Sequence, residues 1–364
     1  MLVSVIIIIV VAAGGYLYLQ SPKFGKLPSG KDLTAIQQSP HYRNGEFKNL
    51  IDTPMFTTDQ SFLSVLYQNM TTTVERLQPE QAIPSVKTDL KAIPANQDVV
   101  VWLGHSSFYI QLNGKRILLD PVFSDHASPV SFAVPAFKGT NIYQASDIPD
   151  LDALLISHDH WDHLDYPTVM ALKDKTARVI TALGTGAYFR HWGFSADKVH
   201  EGDWYDVFEL GQNTRIHLVP ARHYSGRLLK RNQTLWTGFV VESPQQRLLF
   251  GGDSGYGPHF AEIGQRFGQF DWVTLDSGQY DKRWAYIHMT PEEALQAAED
   301  LNARQFMPCH IGRFALARHA WDEPFQRVAT ARKKQDIELL TPEIGQPVML
   351  SASSSQSFTD WWKN

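Results

Sequence analysis

His158-Asp159-His160-Trp161-Asp162-His163 follows directly on the apolar stretch Ala153-Leu154-Leu155-Ile156-Ser157, and this juncture decides the fold. Four metal-ligating side chains fall within six residues at the end of a strand. In an extended loop, side chains two apart point the same way, so His158 and His160 can hold one cation while Asp162 and His163 turn toward a second. The spacing predicts two adjacent metal sites rather than a polar turn.

Three further positions repeat the pattern of a ligand at a strand end. His223 follows Ile216-His217-Leu218-Val219-Pro220, Asp253 follows Leu248-Leu249-Phe250-Gly251-Gly252, and His310 follows Phe306-Met307-Pro308-Cys309. Open α/β sheets gather ligands at the carboxyl ends of their strands, which brings these residues toward the hexapeptide. Two divalent ions a few ångströms apart lower the pKa of a shared water from about 15.7 toward about 7 and clamp the attacked phosphoryl or carbonyl oxygen. The set of five His and two Asp is nitrogen and oxygen only; it suits two Zn2+ and leaves iron or manganese open.

Other motifs run in order along the chain: Trp102-Leu103-Gly104-His105, Leu119-Asp120-Pro121-Val122-Phe123-Ser124, Leu164-Asp165-Tyr166 after the hexapeptide, Gly252-Asp253-Ser254-Gly255-Tyr256, His288-Met289-Thr290-Pro291-Glu292-Glu293-Ala294 and His310-Ile311-Gly312-Arg313-Phe314-Ala315-Leu316. With the hexapeptide they resemble a metallo-β-lactamase-fold hydrolase, and within that superfamily most resemble the N-acylphosphatidylethanolamine-hydrolysing phospholipase D. The resemblance runs from about Val99 to about Thr341. It implies an α/β fold, an αββα sandwich of two mixed sheets flanked by helices, and a binuclear zinc phosphodiesterase releasing an N-acylethanolamine and leaving phosphatidic acid. It also implies that His158, His160 and His223 hold one zinc, that Asp162, His163 and His310 hold the other, and that Asp253 bridges them. The family's substrate-contacting histidine falls on His288; its aromatic residue inside the hexapeptide, usually Tyr, is Trp161 here. Asp162, Asp253 and His288 are thus the expected catalytic residues, with Trp161 and His288 at the substrate.

Asp120, at the end of Arg116-Ile117-Leu118-Leu119, reads as a carboxylate behind the metal ligands that orients one of the histidines. Arg222, Arg227 and Arg313 flank ligand positions, where a guanidinium could meet a phosphate. His105, between the strands Val99 to Leu103 and Phe108 to Leu112, could line the same cleft, but reads first as a loop histidine satisfied by its surroundings. A lactonase or sugar-phosphate ester hydrolase of the same fold is the alternative reading, and a membrane-tethered metal-binding protein without catalysis is another. Structural zinc sites are closed four-ligand clusters rich in Cys, which disfavours the last.

At 364 residues with 43% hydrophobic and 20% charged side chains, the chain can bury a large core. Its formal net charge of -5 offers no basic footprint and disfavours nucleic acid as a partner. The partners expected instead are a phospholipid or other phosphodiester substrate and a membrane; no feature specifies an oligomer. The single cysteine, Cys309, reads as buried in its strand.

Leu2 to Leu19 carries no charge and at helical rise reaches roughly 27 Å, close to a bilayer's hydrocarbon thickness. It reads as a retained transmembrane anchor, although Ala12-Ala13-Gly14 also offers a signal-peptide cleavage site. Lys23, Lys26 and Lys31 beyond it favour the cytoplasmic face, with the opposite face or secretion as the other outcomes. The expected organisation is an anchor over 1–20, a linker and N-terminal arm over 21–97, the hydrolase domain over 98–350 and a tail over 351–364. Within the arm, Phe56, Phe62, Leu63, Val65, Leu66 and Tyr67 suggest an amphipathic helix packed on the hydrolase, with the membrane as the other docking surface. Asn113-Gly114 predicts a hairpin inside an opening meander, and Thr290-Pro291-Glu292-Glu293 predicts a helix start running through Leu301.

Overall fold

The computed structural model describes residues 2–227, 230–332, 336–350 and 356–363, and at 2, 3, 62, 66, 69 and 70 the backbone alone. Fourteen strands build the two large sheets: β1 (Val99–Trp102), β2 (Phe108–Leu112), β3 (Lys115–Leu119), β4 (Ala153–Ile156), β5 (Val179–Ala182), β6 (Val199–Gly202), β7 (Val207–Gly211), β8 (Thr214–Val219), β9 (Gly238–Glu242), β10 (Arg247–Phe250), β11 (Phe270–Asp276), β12 (Ala303–Cys309), β13 (Glu338–Leu339) and β14 (Pro347–Met349). The first sheet has the order β14-β1-β2-β3-β4-β5-β6 and the second the order β13-β12-β11-β10-β9-β8-β7.

Both sheets follow one plan. From β14 to β3 the neighbours are antiparallel and from β3 to β6 parallel. From β7 to β10 they are again antiparallel and from β10 to β13 parallel. This internal duplication has no counterpart in repeated residues, because a strand order can recur while every side chain changes.

Short turns set the antiparallel halves. Asn113 and Gly114 both have positive φ, 51° and 72°, as the two-residue connection between β2 and β3 demands. Parallel neighbours need longer crossovers, and helices such as Tyr166–Leu172 and Pro291–Asp300 supply them. The second begins as predicted, with Thr290 as N-cap, Glu293 completing a capping box and Pro291 in the first turn.

Alternation along the strands separates three apolar layers. Val100, Trp102, Phe108 and Ile110 face Ile216, Leu218, Phe239 and Trp272 between the sheets, while Val99, Val101, Leu154 and Ile156 face outward onto Val169 and Leu172. Val240, Leu249 and Val273 face the opposite helical layer, meeting Ala294, Leu295 and Ala298. Sheets covered on both faces need apolar residues at successive positions, which explains strands with no polar side.

Each terminus carries a helix among the described residues. Leu2–Leu19 forms one helix, but among the described residues no helix is long and apolar enough to cross a membrane. The helix is 18 residues long, roughly 27 Å against about 30 Å of hydrocarbon. Its side chains from Val5 to Val11 are exposed. The helix Phe62–Thr71 also forms, yet Leu63 and Tyr67 are exposed rather than packed on the hydrolase; the side chains of Phe62 and Leu66 lie outside the described residues. In the tail, residues 351–355 lie outside them too. Beyond these, Trp361 and Trp362 are buried in the inter-sheet core, so the chain end is part of the sandwich.

Candidate metal centre

Every residue of the site leaves a strand at its carboxyl end. His158, His160, Asp162 and His163 follow β4, His223 follows β8, Asp253 follows β10 and His310 follows β12. The fold brings all seven predicted residues into two adjoining groups. His158, His160, His223 and Asp253 form one, and His105, Asp162, His163 and His310 the other, with the ligand atoms of each group within 4.8 Å of one another. Asp253 joins the two: its Oδ2 lies 3.7 Å from Nε2 of both His158 and His223, 3.1 Å from His163 Nε2 and 3.3 Å from His310 Nε2. In the first group the Nε2 atoms of His158 and His223 converge on His160 Nδ1 at 2.8 and 3.2 Å. In the second, Asp162 Oδ2 lies 2.9 Å from His105 Nε2 and 3.0 Å from His310 Nε2.

The arrangement suits cations. His160 Nε2, His163 Nε2 and Asp253 Oδ1 are buried without a hydrogen-bond partner, a costly state that bound metal relieves. Burial, reinforced by neighbouring imidazoles, holds His158 well below the ordinary histidine range, and burial brings His160 to about 4. Burial likewise lowers His223 far down. All three present lone pairs at neutral pH, as ligation requires. Burial opposes ionisation of Asp162 and Asp253, but the facing imidazoles, His163 foremost, overcome it and hold both carboxyls well below their usual range.

A second layer fixes these rings. Asp120 Oδ2 lies 2.8 Å from His163 Nδ1, and the carboxylate also accepts from Ser157 N at 2.8 Å and Ser157 Oγ at 2.5 Å. His223 Nδ1 donates to the Ile287 carbonyl at 3.0 Å, which turns its Nε2 inward. Asp276, fully buried at the end of β11, stands between His310 Nδ1 at 3.1 Å and His288 Nδ1 at 2.6 Å. His105, Asp120 and His310 all adopt left-handed backbone, with φ of 55°, 41° and 61°, strain of the kind that accumulates at functional sites. The β11 exit passes so close that a Cβ on Gly278 would stand 1.8 Å from Ile311 Cγ2 and 2.3 Å from the His310 carbonyl oxygen; only glycine fits there.

A cavity of about 370 Å³ opens beside the centre, lined in part by His160, Asp162, Asp253, His288 and His310. Trp161, Trp284, Ile287 and Leu316 give it apolar walls, joined by Met55 and Phe56 of the arm. The Trp161 ring is held between Phe24, 5.3 Å away edge-on, and the Arg227 guanidinium, 3.8 Å from its centre.

The three arginines proposed for a phosphate are committed elsewhere. Arg227 bonds the carbonyls of Asp159, Leu164 and Lys23, Arg313 those of Leu103 and Ser124, and Arg222 reaches Tyr256 and Thr53. Loops at strand ends leave carbonyls without sheet partners, and guanidinium forks satisfy them. The arginine that lines the cavity is Arg231. Sequence reading missed Asp276, which carried no motif, and set His105 aside although it stood between two strands that both lead to the site.

A family model described as Beta-lactamase superfamily domain matches residues 115–311. An uncharacterized protein of Mycobacterium tuberculosis is 37% identical over 342 residues, 92% of this chain and 91% of that protein. The N-acyl-phosphatidylethanolamine-hydrolyzing phospholipase D 1 of Caenorhabditis elegans is 33% identical over 227 residues, 59% of this chain and 64% of its own length. Among solved structures, the metallo hydrolase Igni18 of Ignicoccus hospitalis is similar with a TM-score of 0.55 at 20% identity, covering 70% of this chain and 98% of that one; this likeness shows the fold alone.

Proposed function

The chain belongs to the Beta-lactamase superfamily domain family, and on that premise we propose that it is a phosphoric diester hydrolase of phospholipase D type, acting on N-acylphosphatidylethanolamine-like phospholipids. That it is a metal-dependent hydrolase with a binuclear His/Asp site follows from the family and the two ligand groups. The finer reading rests on one observation: apolar and aromatic side chains line the same cavity as the candidate ligands. Such a site suits an anionic diester carrying long hydrocarbon substituents. The relatedness to the nematode phospholipase D supports the same class.

In this reading His158, His160 and His223 hold one Zn2+, Asp162, His163 and His310 the other, and Asp253 is shared; Fe or Mn could take the same places. Bound cations would supply the Lewis acidity that acidifies water and polarises the ester. The protein orients the remainder. Asp276 accepts from His288 Nδ1, leaving Nε2 of that ring for a substrate oxygen, and Trp161, clamped by Phe24 and Arg227, presents a rigid aromatic wall. Hydrolysis adds the oxygen of water to phosphorus and breaks the bond to the ethanolamine oxygen, which leaves with a proton as N-acylethanolamine while phosphatidic acid remains. The exposed helix Leu2–Leu19 holds the enzyme at a membrane, on the cytoplasmic face.

The test is incubation of the metal-loaded protein with N-acylphosphatidylethanolamine in mixed micelles and, separately, with a panel of lactones and sugar phosphates. Release of N-acylethanolamine with phosphatidic acid is expected, lost in His288→Ala with little loss of metal. Efficient lactone opening without phosphodiester cleavage would overturn the reading in favour of a lactonase.

A further inference from the structure

We propose that the N-terminal arm is a working part of the active site: Asn49 positions the metal-binding segment at His223, and Met55 and Phe56 select substrates by their apolar tail. The first half rests on the ligand assignment of His223, and the second on the cavity alone.

His223 lies beyond the end of β8, where no neighbouring strand remains to take its backbone groups. One side chain from the arm takes both. The His223 N–H donates to Asn49 Oδ1 at 3.0 Å and Asn49 Nδ2 donates to the His223 carbonyl at 2.8 Å. Trp236 Nε1 donates to the same Asn49 oxygen at 3.2 Å, fixing the orientation of the amide. A buried backbone pair without these bonds would be unsatisfied, and the loop would move to recover them. The ring's Nδ1 bond to Ile287 fixes its rotation, while Asn49 fixes where its backbone stands. Asn49 acts through His223, so it is a positioning residue.

From Asn49 the arm runs along the cavity between two anchorages. On the near side Arg222 Nε donates to Thr53 Oγ1 at 3.0 Å. On the far side Thr57 N donates to the Arg283 carbonyl at 2.8 Å, and the Thr57 hydroxyl bonds the Lys282 carbonyl. Met55 and Phe56, held between these points, line the cavity. Phe56 keeps 60% of its surface exposed although it lines the cavity, so folding alone does not account for an aromatic there. An alkyl or acyl chain in the cavity would cover it, with the gain expected for burying apolar surface. The ligand class is therefore an ester with a hydrocarbon tail, its head at the metal groups and its tail along Phe56 and Met55.

The experiment uses the full-length metal-loaded protein and two non-hydrolysed probes, butyl phosphate and octyl phosphate, titrated calorimetrically. Wild-type protein should bind octyl phosphate the more tightly. In Phe56→Ala and Met55→Ala that preference should shrink by about tenfold, the scale of a few methylenes in an apolar pocket; a preference unchanged within about twofold in both variants would overturn the tail assignment. Asn49→Ala should lower bound metal, by elemental analysis after dialysis, from about two toward about one ion per chain, with an unchanged circular dichroism spectrum and recovery in excess metal. Retention of both ions at wild-type affinity would overturn the positioning role. Should Asn49→Ala fail to fold, Asn49→Asp, which keeps the acceptor for His223 N–H and loses the donor to its carbonyl, gives the same reading. Because the probes need no turnover, a failure of the phospholipase D reading appears in the micelle assay and leaves these outcomes separate.

Discussion

Asp120 Oδ2 stands 2.8 Å from His163 Nδ1, and this contact settles which nitrogen of the ring faces the metal groups. A carboxylate accepts, so Nδ1 carries the hydrogen and Nε2 turns toward Asp253, 3.1 Å away. Burial pushes the Asp120 carboxyl up, while the bonds from His163 and Ser157 favour its charged form. Asp120→Asn preserves volume and tolerates the left-handed backbone, yet can set a donor against the His163 N–H. Metal affinity is expected to fall about 10- to 100-fold, the usual effect of losing such a partner. Competition with a chromophoric chelator measures it; wild-type affinity in the variant would mean that the carboxylate does not orient the ring.

Asp253 touches both ligand groups, so its removal should act on both. Asp253→Ala is expected to lose nearly all turnover and to bind fewer than about two ions per chain. His217→Ala is the control: that ring bonds Glu242 across β8 and β9 at 3.1 Å and takes no part in either group. Elemental analysis with an activity assay separates the two, and a fully active Asp253→Ala protein would sink the binuclear mechanism.

The seven positions that the fold gathers into the two groups were legible because each is a His or Asp at a strand end, and strand ends can be read from apolar runs. The same logic placed β1 to β3 and the helix capped by Thr290. What stayed hidden depends on tertiary proximity between segments far apart in the chain. Asp276 lies in Leu275-Asp276-Ser277-Gly278, which carries no ligand spacing, and gains meaning only when β11 and β12 pair in parallel with Asp276 beside Cys309. Asn49 sits in a stretch that reads as linker, 174 residues before the loop it holds. The bonds of Arg227 and Arg313 stayed hidden for a related reason: their chain neighbours pointed to the site, whereas the carbonyls they bond belong to other loops.

Asp276 links the cavity-lining His288 to His310. Burial resists its ionisation, but the two imidazoles, His288 foremost, hold its carboxyl below the usual range. Asp276→Asn keeps the shape and removes the charge that both rings use. Turnover should drop about 10- to 100-fold with a smaller loss of metal than in Asp120→Asn, because one of its two partners, His288, lines the cavity instead of belonging to either four-residue group. Steady-state kinetics alongside metal analysis will show this; unchanged kcat and metal content would exclude an orienting role.

His259 gives the fold an acid-sensitive point away from the ligands. Burial, assisted by Arg222, lowers it from the ordinary 6.5 to about 3. Below about 6.5 the unfolded chain takes up a proton here that the folded chain refuses until near 3. The contribution to stability is therefore complete above that window and is lost as pH falls through it. His259→Gln cannot charge, so its stability should decline less steeply between pH 6 and pH 4, by about 1.4 kcal/mol per pH unit. Chemical denaturation at several pH values compares the slopes, and parallel slopes would show that this ring is not the group responsible.

The exposed helix Leu2–Leu19 carries the membrane proposal, and its contacts say what deletion should cost. Tyr18 Oη donates to the Pro129 carbonyl at 2.6 Å and its ring meets Phe24 edge-on at 5.3 Å. Phe24 in turn packs on Trp161, but it and Lys23 lie beyond Gln20 and remain after truncation. Deleting residues through Gln20 should therefore leave the cavity wall, the bound metals and cleavage of detergent-dispersed substrate close to full-length values. The full chain should sediment with phospholipid vesicles through a high-salt wash, because burial of aliphatic side chains is not screened by ions. The truncated protein should stay in the supernatant and slow mainly on bilayer substrate, where tethering raises effective concentration. Equal sedimentation of both forms would remove the helix from membrane attachment, and a mature protein beginning near Gly15 would identify Leu2 to Leu19 as a signal peptide.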